Sequence, residues 1–166
     1  LSDRIVVEQL ALMDTPGEID FFEVRNAKFP SIYNLSGEHN IGTKLYRTSN
    51  KVKVKSMTLD KYSFDKNIKE LDLIKLDTEG AESLILQGAN NVIKQYNPII
   101  ICELLFQKIE IELETIMKNY DYNFYFHTKD GLTLVDTLFR NEDNKVRDVF
   151  FVPKAKTSLI KKWIIK

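Results

Sequence analysis

The stretch LIKLDTEGAESLILQGA, residues 73–89, followed after a short spacer by PIIICE, residues 98–103, decides the fold. A short, nearly all-apolar run ends in a carboxylate at Asp77, and Thr78-Glu79-Gly80 follows it. Ala81, Leu84, Ile85, Gly88, Ala89, Val92 and Ile93 then fall at helical spacing on one face. Gly88 within that face predicts close helix–strand packing, because glycine otherwise weakens a helix. Asn97-Pro98 stops the helix, since the residue before a proline avoids the helical region. Ile99, Ile100, Ile101 and Cys102 form a second apolar strand, again ending in a carboxylate, Glu103. A second helix follows, with Phe106, Ile109, Leu113, Ile116 and Tyr120 on one face. Strand, helix, strand, helix in this order predicts a parallel sheet covered on both faces, its first two strands adjacent, buried and joined by a right-handed crossover.

Working outward, residues 4–12 are β-rich and end at the turn signal Met13-Asp14-Thr15-Pro16-Gly17, and residues 19–24 read as a strand. Residues 26–48 are irregular, polar and aromatic, with Pro30, Gly37 and Gly42. A segment that long is expected to be the least ordered internal part and to lie on the carboxyl-end side of the sheet. Residues 51–58 alternate Val52 and Val54 against Lys51, Lys53 and Lys55, a strand with one wet face. The last third turns antiparallel: residues 122–127 alternate, Asp130-Gly131 marks a hairpin turn, residues 132–135 return, and residues 149–152 form a closing strand before Pro153. The chain thus divides into one α/β domain, residues 1–153, and a basic amphipathic tail, residues 154–166, with five lysines. The tail has the makings of a membrane-surface helix, but packing against its own domain or a partner is the expected outcome.

Composition narrows the function. The 166 residues fit one domain, and 24 basic against 24 acidic side chains leave no net charge. A protein that grips nucleic-acid phosphates carries a basic excess, so no nucleic-acid partner is expected. No apolar run approaches the roughly 18 residues of a membrane span. A single cysteine, Cys102, excludes an intrachain disulfide and an all-cysteine metal site, and points to a reducing, cytoplasmic setting.

In open α/β sheets ligands bind beyond the carboxyl ends of the strands, where Asp77 and Glu103 sit. A charge directly after a buried apolar strand is costly without a partner or a job. Glu79 has two readings: a cap for the following helix, favoured by its dipole, or a member of the site. No resident metal is expected; if one bound, Asp77, Glu79 and Glu103 would offer hard oxygen ligands suited to Mg²⁺. His39 and His127 have no metal-motif spacing, and a lone solvated histidine needs no function.

The run at residues 73–89 and its spacing to PIIICE resemble the central signature of the FkbM family of S-adenosylmethionine-dependent methyltransferases. LALMDTPGEIDFF, residues 10–22, looks like the family's third strand and exit turn; VKSMTLDKY, residues 54–62, resembles the lead into the signature. The hairpin from Tyr122 and the closing DVFFVP, residues 148–153, look like the last antiparallel strands. The resemblance implies a Rossmann-like class I methyltransferase sheet, mostly parallel with an antiparallel C-terminal hairpin. It also implies a glycine-rich turn and an acidic ribose anchor upstream, and neither occurs here, since none of the six glycines makes a G-x-G pattern. The N-terminal βα units are therefore expected to be missing. By resemblance Asp77 and Glu79 are the catalytic residues, and Ala11, Leu12, Asp77 and Gly80 bind S-adenosylmethionine. The implied reaction is methylation of a hydroxyl on a small molecule or glycan. The competing reading is a truncated or degenerate module of this fold that binds a partner without catalysis.

Overall fold

The computed structural model describes residues 4–25, 33–37 and 50–165. Two of the apolar runs read above become β5 (Leu73–Leu76) and β6 (Ile99–Glu103), which pair in parallel with Leu73 opposite Ile99 and Leu76 opposite Cys102. They belong to a sheet completed by β7 (Tyr122–Thr128), β8 (Gly131–Val135) and β9 (Asp148–Pro153), in the order β5-β6-β9-β7-β8. A second sheet holds β1 (Ala11–Leu12), β2 (Gly17–Arg25), β3 (Tyr33–Gly37) and β4 (Lys51–Met57), in the order β1-β4-β2-β3.

The result is a mixed α/β protein with two sheets, not the mostly parallel single sheet that was expected. Among the described residues only β1 with β4 and β5 with β6 pair in parallel; the other five pairings are antiparallel. The cause in the five-stranded sheet is β9, which inserts between β6 and β7 and runs against both. β5, β6 and β7 therefore still share one direction, and their carboxyl ends share one rim. The β7–β8 hairpin turns through Lys129 and Asp130, with Thr128 opposite Gly131, as the Asp-Gly signal predicts.

The helices are α1 (Leu59–Asp65), α2 (Glu82–Gln87), α3 (Asn90–Tyr96), α4 (Glu110–Met117) and α5 (Thr157–Ile160). The helix expected over residues 81–93 is broken in two at Gly88. A Cβ there would lie 2.2 Å from the Met13 carbonyl oxygen, so the backbones touch and only glycine fits. Asp60 of α1 locks the junction: its amide donates to the Gly88 carbonyl, and its carboxylate accepts from the amides of Asn91 and Val92, capping α3.

One face of the five-stranded sheet carries the main core. Ile100, Cys102, Val149 and Phe151 pack there against Leu86, Ile93, Leu113 and Met117, all fully buried or nearly so. The opposite face is covered only in part, by the tail, where Ile160 packs with Tyr125, Leu132 and Val152. Double coverage and a buried β5 are thus both corrected. As an edge strand with one covered face, β5 buries Leu76 but leaves Leu73 53% exposed. Residues 33–37 of the long segment form β3; its remainder, including His39, lies outside the described residues. Of the β-rich run 4–12, only Ala11 and Leu12 enter a sheet. No helix among the described residues is long and apolar enough to cross a membrane.

Candidate active site

The strand registers bring the chemistry together. Leu76 pairs with Cys102, so Asp77 stands level with Glu103; Glu103 pairs with Asp148; Phe126 pairs with Val149, so His127 stands level with Asp148. Asp77, Glu103, Asp148 and His127 form a row across four neighbouring strands at the carboxyl rim. Together with Lys75, Ile101, Arg147 and Phe150 they line a cleft of about 380 Å³.

The loop after β5 adds Glu79. Glu79 and Gly80 both take positive φ, 59° and 131°, which folds the loop back over the rim. The side-chain oxygens of Asp77, Glu79 and Glu103 come within 4.8 Å of one another. Left-handed backbone is unfavourable for a glutamate and persists only where its surroundings enforce it. Glu82 does the enforcing. Its fully buried carboxylate accepts from the Thr78 amide (2.7 Å), the Thr78 hydroxyl (2.8 Å) and the Gly80 amide (2.9 Å). The helix-capping reading of Glu79 is therefore wrong: Glu82 satisfies the loop amides, and Glu79 is left exposed at the cluster. The Gly80 amide is already engaged, so Gly80 contributes its backbone conformation to the turn.

Glu103 is the electrostatic centre. Burial, then the charges of Glu79, Asp77 and Glu82, push its pKa up to about 7, with Lys75 pulling the other way. Its Oε2 is buried without a hydrogen-bond partner among the described residues. Lys75 bridges the row, with Nζ 2.9 Å from Asp148 and 3.3 Å from Asp77. Burial works against the lysine's charge, but these two carboxylates outweigh it and hold its pKa above the usual value. Cys102, one residue before Glu103, is no nucleophile: burial raises its thiol pKa well above the ordinary range.

A carboxylate held near 7 sets a pH dependence for folding. Glu103 keeps a proton in the folded chain that the unfolded chain releases from about pH 4.5 upward, so its contribution to stability is full below that value and lost as pH rises through about 7. Glu103→Gln is expected to remove this loss. Its melting temperature should match the native protein's near about pH 5 and exceed it near about pH 8; a variant less stable at both would show that Glu103 makes favourable contacts as an anion.

Ala11 and Leu12 lie in the other sheet. Ala11 is buried, and Leu12 lines a separate cavity of about 250 Å³ with Val6, Glu8, Leu10, Leu59 and Tyr62. The structure thus joins Asp77, Glu79, Gly80 and Glu103 at one place and sets Ala11 and Leu12 at another. Sequence reasoning missed Glu82 and His127. For Glu82 the usable signal was a carboxylate four residues after Thr78, within reach of a turn that needs acceptors; for His127 it was a position at the carboxyl end of a strand.

The model of the methyltransferase FkbM domain matches residues 2–124, from before β1 into β7. No curated protein and no solved structure matches the chain. The family match spans most of the sequence and contains the whole acidic loop, β6 and Glu103, and on that ground the chain belongs to the FkbM methyltransferase family.

Proposed function

We propose that this protein transfers a methyl group from S-adenosylmethionine to a hydroxyl of a small molecule or glycan in the cytoplasm, with the carboxylate row as its active site and a Rossmann-like class I sheet as its parent fold. The observation that carries this reading is Glu103, a carboxyl poised near neutrality, with a buried unpartnered oxygen, beside two further carboxylates. A cluster of negative charge under a partly buried oxygen suits a cationic sulfonium. When bound, the cofactor supplies an electrophilic methyl; the protein orients the acceptor and takes its proton. A general base works best with a pKa near the working pH, which selects Glu103 for the proton. Asp77 and Glu79 hold the negative potential, and by the family resemblance Asp77 and Gly80 face the cofactor there; Ala11 and Leu12, which the resemblance also assigns to the cofactor, lie apart from the row.

Without a glycine-rich turn or an acidic ribose anchor, this chain loses two sets of hydrogen bonds, each about 1–3 kcal/mol. The 166-residue chain is therefore expected to bind S-adenosylmethionine with a Kd well above the low micromolar range; calorimetry finding low-micromolar binding would refute this. The function is tested with methyl-labelled cofactor at millimolar concentration against polyhydroxylated acceptors. Label in the acceptor supports the reading. Binding of an acceptor without transfer at any cofactor concentration would assign the chain to a non-catalytic module. EDTA is expected to leave the rate unchanged; a lost rate would assign the three carboxylates to a divalent cation.

A further inference from the structure

We infer that the acidic cleft continues past His127 into an aromatic subsite, which receives the apolar ring of an aryl glycoside whose sugar hydroxyls lie in the cleft. This rests on the proposed hydroxyl methylation. A second cavity of about 290 Å³ is lined by His127, Gly131, Leu132, Phe150, Ile160 and Trp163. His127 and Phe150 also line the acidic cleft, so the two spaces meet at this pair, whose rings pack edge-to-face at 5.7 Å. The two halves differ in chemistry. The cleft offers Lys75, Asp77, Glu103, Arg147 and Asp148, donors and acceptors fit for hydroxyls; apart from His127, the second cavity presents apolar side chains and a glycine.

The apolar wall is built, not incidental. The Ile165 amide donates to the Leu132 carbonyl at 3.0 Å, and Ile164 bridges to Leu132, which pins the tail along β8. Gly131, at φ 141°, lets the tail approach: a Cβ there would lie 2.5 Å from the Trp163 carbonyl oxygen. Trp163 is left 52% exposed at the cavity. Size selects the occupant. From Glu103 on β6 across β9 to His127 on β7 is two strand spacings, about 10 Å. A phenol is too short to place its hydroxyl at Glu103 and its ring at His127, whereas a sugar ring carrying an aryl group spans the gap.

The test compares phenyl β-D-glucopyranoside with methyl β-D-glucopyranoside. Trp163 is the sole tryptophan, so its fluorescence reports the subsite directly. The phenyl glucoside is expected to shift Trp163 emission and to bind at least about ten-fold more tightly than the methyl glucoside by calorimetry. Trp163→Ala should abolish the preference, and His127→Ala, at an exposed position with little bearing on folding, should narrow it. Equal affinities, no binding of either glucoside, or a full preference surviving in both variants would overturn the inference. The binding preference is measured without cofactor, so its failure is distinguishable from failure of the methyltransferase reading. Equal methylation of both glucosides would remove the subsite and keep the enzyme.

Discussion

Glu103→Gln is expected to lower kcat for methyl transfer by about 10² to 10⁴, the usual worth of a general base, while leaving the protein folded. Three links support this. The register of β6 with β5 and β9 fixes the backbone at Glu103, so the substitution moves no strand. Glutamine keeps the volume of the side chain, so packing loses little. What goes is the one carboxyl in the row whose pKa is raised to about 7, where proton uptake and driving force are balanced. Asp77→Asn is also expected to reduce transfer strongly with little change in melting temperature, through the negative potential at the cofactor's sulfonium. Asp77 is exposed and paired with Lys75, so its removal costs the fold little. If Asp77→Asn mainly lowered the melting temperature, the residue would be a strand terminator and no part of the site. If Glu103→Gln retained kcat, the base would be Asp77 or Glu79.

Glu82→Ala should carry the largest stability effect in the site. It leaves the Thr78 and Gly80 amides without their acceptor and opens a hole at a fully buried position. Hydrogen bonds to a charged group are worth about 1.5–3 kcal/mol each, so a loss of about 3 kcal/mol or more is expected. At about 2–4 °C per kcal/mol for a domain of this size, the melting temperature should fall by about 6–12 °C. Glu82→Gln, which keeps one acceptor oxygen, should fall less. Because Glu82 holds Glu79 and Gly80 in left-handed backbone, transfer should drop in both variants even where they remain folded. Equal melting temperatures for Glu82→Ala and the native chain would mean that the loop holds itself.

Much of this site was legible in the sequence because local rules reach it. Apolar runs ending in carboxylates gave β5 and β6 as parallel neighbours with Asp77 and Glu103 on their rim, and a glycine on an apolar helix face gave the close contact at Gly88. What failed depended on long-range pairing. The closing antiparallel strand was legible, but nothing within residues 148–153 says that β9 inserts between β6 and β7, so the strand order and the mostly antiparallel pairing were not. Whether an apolar strand is central or at an edge depends on what lies beside it, which is why Leu73 was expected inside and lies outside. Glu79 kept two readings for a related reason: Glu79 and Glu82, three residues apart, both lie near one set of loop amides, and only the turn geometry gives those amides to Glu82. His127 joined the row through registers across three strands that no spacing in the sequence encodes.

The most direct test of the carboxylate row as a methyl-transfer site is the pH dependence of methyl transfer from S-adenosylmethionine at saturating acceptor, measured for the native chain and for Glu103→Gln. The account predicts a native rate that rises with an apparent pKa near about 7 and then levels, and a Glu103→Gln rate that is low with that rise gone. The same rise in both proteins, at similar rates, would contradict it.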